Sequence, residues 1–324
     1  MVIGELRYDA EFLAAITALN SIVPEPRTNI SELRHSINDA MRAIHHAKSW
    51  PKHVDKTRIP FISYDGAEVA IYRFASREMV ASSTPQPAAV YIHGGGMVCG
   101  SVNIYAPTMA YLADAVGMPF FAIDYRLAPE HPGPNLAKEV YWGLKHLSDH
   151  AAGLNIDSAR ICIMGDSGGG GIAASAALIA RDRGLTPPVA KQLLLYPMLD
   201  DRTQLAADST LRQFLTWSEN DNRIAWEAVL GKERAGRKGS EASIYSVPGR
   251  AEDLRGLPST YIDIGGLDLF CSESIAYASR LVAAGVEVEF HVWPGVPHGF
   301  EEISPQISWA TKAEEARKSA LRRV

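Results

Sequence analysis

The sequence predicts an α/β fold, a central and mostly parallel sheet with helices on both faces. Three observations predict it. Eight short β-rich runs are present, and from about residue 88 they alternate with helical stretches. Two of the runs end in glycine-rich turns, His93-Gly94-Gly95-Gly96 and Gly165-Asp166-Ser167-Gly168-Gly169. The chain of 324 residues is 47% hydrophobic and 21% charged, ordinary globular usage that can bury a large core without staples.

The elements follow in order. Residues 8–19 and 31–50 carry apolar side chains at helical spacing, with a break set by Pro24 and Pro26. From Thr57 the period changes: RIPFISY and VAIYRF flank Asp65-Gly66, the signal of a hairpin. Further strands are expected at 88–93, 119–125, 160–165, 191–197, 259–265 and 286–294. Helices are expected near 104–116, 135–149, 168–182, 273–284 and 305–321. The stretch 201–245, with Trp217 and Trp226, is polar and helical and interrupts the alternation. The expected organisation is an N-terminal part of a helical cap at 1–50 and a first part of the core at 51–200. A cap insertion at 201–245 and a second part of the core at 246–324 complete it.

Composition excludes several classes. With 32 basic and 37 acidic residues the net charge is −5, which argues against nucleic acid or an anionic membrane surface as partner. No apolar run approaches the ~18 residues of a membrane span. The start MVIGELRYDAEFL lacks the basic and then apolar character of a secretory signal, so a cytoplasmic location is expected. Cys99, Cys162 and Cys271 are odd in number and never at CxxC spacing, so neither a disulfide framework nor a zinc site is expected. Cys162 reads as a buried strand residue, and Cys99, near the His93 glycine turn, raises the question of thiol sensitivity. His45-His46 reads as a solvated helix face rather than a ligand pair; no metal and no cofactor are expected.

The residues that carry chemistry sit at strand ends. Gly165 to Gly169 fits G-x-S-x-G between a strand and a small-residue helix, the context of a nucleophile elbow that would raise the Ser167 hydroxyl. The same letters occur in trypsin-like proteases, but those are β-barrel proteins whose histidine and aspartate precede the serine. Ser167 also occupies a position that a G-x-G-x-x-G dinucleotide loop needs for glycine. The His93 turn would supply backbone donors to an oxyanion. The candidates are the N–H groups of Gly95, Gly96 and Gly168, while His93 itself holds the loop. A serine needs a base and the base an orienting acid, in the chain order serine, acid, histidine. Only His291 and His298 follow the elbow; His291 lies in a strand pattern, and His298 lies in a loop after the last strand and is chosen. Asp268 follows strand 259–265 and is the acid; Asp263 reads as structural and Glu273 as a cap of its own helix. Met97, Val98, Phe214, Leu215 and Trp217 are candidates for the walls of a substrate pocket.

These segments resemble the hormone-sensitive-lipase-like group of α/β-hydrolases, a likeness that covers about residues 60–300. HGGGMVCGS, DYRLAPEHP, GDSGGGG, GLDLFCSES and PGVPHGF are similar to that group's marker segments. The resemblance implies an α/β-hydrolase fold with an eight-stranded sheet and a helical cap. It implies a serine carboxylesterase acting on a small-molecule ester of short to medium acyl chain, and it allows dimers through the last strand. Amide, lactone or carbamate hydrolysis by the same triad, or a hydrolase-fold small-molecule binding protein, are the alternatives. The chain departs from the group's pattern at Gly168 (usually alanine), Met97 (often aromatic), Gly133, Asn135 and Leu269 (often proline). None of these removes a catalytic group.

Overall fold

A computed structural model describes residues 5–18 and 26–324. Leu19 and the expected break at Pro24 lie outside the described residues. The strands are β1 (Val54–Ile62), β2 (Glu68–Ser76), β3 (Gln86–Ile92), β4 (Phe120–Ile123), β5 (Ile156–Asp166), β6 (Lys191–Leu195), β7 (Ser259–Gly265) and β8 (Val288–Trp293). The helices are α1 (Ala10–Ala18), α2 (Ile30–His46), α3 (Arg77–Ala81), α4 (Val102–Val116), α5 (Asn135–Asp149), α6 (Ala151–Leu154), α7 (Gly168–Asp182), α8 (Glu219–Leu230), α9 (Cys271–Ala283), α10 (Phe300–Ile303) and α11 (Ser308–Leu321).

All eight strands form one sheet in the order β1-β2-β4-β3-β5-β6-β7-β8. β1 and β2 pair antiparallel across the turn at Asp65-Gly66, β2 runs antiparallel to β4, and the other pairs are parallel. Parallel strands covered on both faces need continuous apolar runs, as in the fully buried FFAI of β4 and QLLL of β6. Helices α5 and α7 pack together over the sheet, as do α4 and α11. Every residue of α7 from Gly168 to Ala180 is buried, which explains a helix built almost wholly of small and aliphatic side chains.

The ends of the helices follow from local chemistry. Asn29 accepts from the N–H groups of Ser31 and Glu32 and so caps α2, and Ser101 accepts from Ile104 and caps α4. The expected last helix, 305–321, is α11, which starts at Ser308, and the short α10 precedes it at Phe300–Ile303. The stretch 201–245 is less helical than its polarity predicts. It holds a 3-10 turn at Thr210–Phe214 and α8, with turns elsewhere. Its backbone is partly organised by side chains instead: Arg250 and the Gly236 N–H both bond the buried carboxylate of Asp201. This stretch meets the N-terminal one where Arg27 Nη1 donates to Asp221 Oδ2 at 2.7 Å and Asn220 donates to the Arg27 carbonyl. Helix α2 packs on α4 and on α8.

His45 corrects the expectation of a solvated pair. It is buried in α2 with Nδ1 2.8 Å from Thr108 Oγ1, and burial drives its pKa down to about 3. Only His46 faces solvent.

Asp263, at the C-terminal end of β7, is structural as expected. It is fully buried and takes two bonds from Arg317 of α11, at 2.7 and 3.1 Å, and one from the Tyr261 hydroxyl at 3.0 Å. The same guanidinium reaches Glu301 of α10 at 2.5 Å. A buried guanidinium shared by two carboxylates leaves an uncompensated charge when it is removed. Arg317→Leu is expected to cost about 3–5 kcal/mol of unfolding free energy at pH 8. The deficit should shrink toward pH 5, because protonation of the stranded Asp263 removes the charge that the core cannot solvate. Urea unfolding at the two pH values measures both the loss and its direction.

Candidate functional site

The site begins with the backbone of Ser167. At φ 53° and ψ −121° it lies in a region that L residues avoid, at a cost of about 1–3 kcal/mol. Three hydrogen bonds hold it there: Ser167 N donates to Leu195 O at 2.8 Å, and Met198 N and Gly171 N donate to Ser167 O at 3.0 and 3.1 Å. The tight turn leaves no room for neighbouring side chains. A Cβ on Gly165 would run into the Gly169 backbone, and one on Gly169 into Ile92 and His93. Ser167 stands at the N-cap position of α7, yet its hydroxyl makes no capping bond. The first N–H groups of the helix are left without the partner a serine normally gives them.

The hydroxyl turns to His298 instead. Ser167 Oγ lies 2.9 Å from His298 Nε2, and His298 Nδ1 lies 2.6 Å from Asp268 Oδ2. Asp268 is fully buried in the loop after β7, and its other oxygen accepts from Phe270 N at 2.9 Å. The imidazole is held edge-on to the rings of Phe270 and Tyr196, with centroids 5.3 and 4.8 Å away. Burial pulls the His298 pKa down. The charge and hydrogen bond of Asp268, with smaller contributions from Glu301 and Asp166, outweigh it, and the net direction is upward. A serine hydroxyl, an imidazole and a buried carboxylate in one hydrogen-bonded row can move a proton off the hydroxyl and stabilise the imidazolium that results.

Gly95 and Gly96 form the loop facing the elbow. Among the described residues, the N–H groups of Gly95, Gly96 and Gly168 take part in no hydrogen bond. The two segments abut so closely that a Cβ on Gly168 would lie 2.6 Å from Met97 N and 2.9 Å from Gly96 Cα. The glycine that departs from the usual alanine is therefore required by this spacing. His93 holds the loop, as expected: Nδ1 lies 2.8 Å from Gly94 O, and its ring stacks on Tyr125 at 4.4 Å. Arg34 of α2 joins this loop to the segment after β4 by donating to Val98 O at 2.7 Å and Ala128 O at 2.6 Å.

The five expected wall residues are spread more widely. Trp217 packs its indole on the Gly95–Gly96 loop, so that a Cβ on Gly96 would lie 2.6 Å from Trp217 Cη2. Met97 and Val98 are buried in the main core. Phe214 is buried edge-on to Tyr8 at 4.9 Å, and Leu215 is half-buried against the core. A cavity of about 370 Å³ lies elsewhere, between α4 and α11, and none of the five lines it. Cys99 is fully buried with its thiol pushed up to about 12 by burial, the opposite of a reactive cysteine.

Glu273 overturns an expectation. It does not cap its own helix. It accepts from Leu199 N at 2.6 Å, from Asp200 N at 3.3 Å and from the Thr203 hydroxyl, tying α9 to the start of the 201–245 stretch. His291, at the sheet edge, stacks on Trp293 at 5.1 Å and bonds Glu289, a structural role as expected.

Three participants carry no sequence signal. Thr216 donates to the His298 carbonyl at 2.7 Å, a contact between segments 82 residues apart. Tyr196, at φ 35°, bears on the His298 ring. Asp166, the variable position of the elbow motif, is buried between the hydroxyls of Tyr91 and Tyr105, at 2.5 and 2.9 Å. Burial pushes its pKa up to about 6 against those two donors.

Residues 89–302 match the family described as the alpha/beta hydrolase fold. Esterase LipI of Mycobacterium tuberculosis is 34% identical over 245 residues, which span 74% of this chain and 73% of the relative. Carboxylesterase NlhH of the same organism is 34% identical over 240 residues, 74% of each chain. Among solved structures, a bacterial heroin esterase superposes with a TM-score of 0.88 at 32% identity and covers 98% of both chains. Esterase LipW of Mycobacterium marinum gives 0.80 at 29% identity, covering 98% of this chain and 96% of that one.

The His298 imidazole is expected to titrate above the range of an exposed histidine. In Asp268→Asn the midpoint should fall, because the largest upward contribution is gone while burial remains. Imidazole NMR across pH 4–9 reads both midpoints, and an unmoved midpoint would break the link to Asp268.

Proposed function

The chain belongs to the α/β-hydrolase-fold family, in its hormone-sensitive-lipase-like group, and from that premise we propose that Ser167, His298 and Asp268 hydrolyse carboxylic esters of short to medium acyl chain. That the chain is an ester hydrolase rests on its kinship with named esterases and carboxylesterases. The observation that carries the residue assignment is the unbroken row Ser167 Oγ–His298 Nε2 at 2.9 Å and His298 Nδ1–Asp268 Oδ2 at 2.6 Å.

In this reading His298 takes the proton of Ser167 as the hydroxyl oxygen attacks the ester carbonyl. Asp268 keeps Nε2 free to accept that proton and stabilises the imidazolium. The carbonyl oxygen becomes an oxyanion, bound by the N–H groups of Gly95, Gly96 and Gly168. Each such donor is worth about 2.7–4 kcal/mol in systems where one has been removed. The C–O bond to the alcohol breaks, and His298 returns the proton to the leaving oxygen. Water then gives a proton to His298 and attacks the acyl-enzyme, and the acid leaves as Ser167 is reprotonated.

The 201–245 stretch and the N-terminal helices act as the cap in this scheme. Trp217 sits over Gly96 and would limit the acyl group. Thr216 binds the carbonyl of the base residue, so the same short segment touches both the specificity wall and the catalytic loop.

A p-nitrophenyl ester series from acetate to laurate tests the reading. Turnover should peak at short chains and fall by about 10⁶ in kcat in Ser167→Ala, the loss typical of removing a nucleophile. Wild-type folding without turnover of any ester in the series would sink the acyl-chain assignment. In Trp217→Ala the preferred chain should lengthen, by a shift of about 1–3 kcal/mol in relative kcat/KM per discriminated methylene or two. An unchanged chain-length profile would remove Trp217 from the pocket.

A further inference from the structure

The cavity of about 370 Å³ between α4 and α11 does not include Ser167, His298 or any donor of the proposed oxyanion hole. Its volume is at the lower end of small-ligand sites, and Leu112, Met164, Leu195 and Leu321 give it an apolar lining.

Two polar groups on its wall are unused. Glu301, whose side chain is only 10% exposed, spends Oε1 on Arg317, and its buried Oε2 has no hydrogen-bond partner. The Tyr196 hydroxyl also has none among the described residues. A buried carboxylate oxygen accepts only, so it calls for a donor.

The charged groups around the cavity leave a carboxylate oxygen, and no cation, without a partner. Three cations line it, and each is already committed. Lys48 pairs with Glu302 at 3.1 Å, Lys318 with Glu314 at 3.1 Å and Glu315 at 2.6 Å, and Arg317 with both Glu301 and Asp263. Three carboxylates, Glu301, Glu302 and Glu314, line it as well, and Asp166 lies just behind the Tyr91 wall.

We propose that this cavity is a second small-molecule site, which takes a primary amine on a small apolar body, with the ammonium bound by Glu301 Oε2 and the Tyr196 hydroxyl. Binding there does not depend on the esterase reading. An occupant would bear on the Tyr196 ring, whose edge meets His298. Saturating amine should therefore change kcat without raising KM competitively, and this second readout does rest on that reading.

Titration calorimetry of the full chain with benzylamine tests the proposal. Saturable binding with a Kd of about 1 mM or below is expected, alike in wild type and Ser167→Ala. Benzyl alcohol, the neutral analogue, should bind about tenfold more weakly, and Glu301→Gln should weaken benzylamine by a similar factor. Leu112→Trp, and from the opposite wall Ala310→Phe, should fill the cavity and abolish binding, with a thermal melt confirming that each is folded. Absence of saturable binding by wild type, undiminished binding in both filled variants, or equal affinity in Glu301→Gln would each overturn the proposal. Loss of esterase activity in Ser167→Ala with benzylamine binding intact separates the two assignments.

Discussion

The structure turns on the absence of space where α7 begins. The end of β3, the elbow after β5 and the end of β6 converge on a point that admits backbone and one hydroxyl, and no further side chain. That crowding holds Ser167 at a positive φ and leaves the first turn of α7 uncapped. The strain is borne by hydrogen bonds to Leu195, Met198 and Gly171, which belong to the same crowded junction. Once Ser167 is fixed, Asp268 and His298 need only be delivered to it by the loops after β7 and β8, which the parallel register already places at the same end of the sheet.

The strands and the order serine, aspartate, histidine were legible because each is a local signal: a period, a turn, a motif at a strand end. What stayed hidden is non-local. Glu273 opens a helix with the look of a capping residue, but its partners Leu199, Asp200 and Thr203 lie some seventy residues earlier in the chain. His45 follows a polar helical pattern, and only the approach of Thr108 and Tyr105 makes it a buried residue. The turns of 201–245 were misread as helix because their order comes from Asp201 and Arg250 rather than from backbone periodicity. Hydrophobicity marked Met97, Val98 and Phe214, and all three are buried, but it does not distinguish a pocket wall from core packing.

Buried charge links the sheet to the loop that bears His298. Arg317 joins β7 through Asp263 to α10 through Glu301, and its guanidinium lies 5.5 Å from the Tyr196 ring centroid. α10 follows His298 after a single residue, so the ion network ties down the segment next to the imidazole's own residue. Such networks are weak sources of stability compared with an apolar equivalent, but they fix geometry. Here the geometry fixed is that of the short segment from His298 to Ile303.

The docking of α1 has a consequence in time. Phe12 packs with Trp293, Val296, Phe300 and Ile307, and Glu11 accepts from Ser308, 297 residues away. At ~5–20 residues per second, roughly 15–60 s of synthesis separate this helix from its binding surface. An element made early is thus seated late, and until then the side of α1 that bears Phe12 lacks these partners. A chaperone that holds the emerging α1 segment would act on this molecule during that interval, before the loop bearing His298 has left the ribosome.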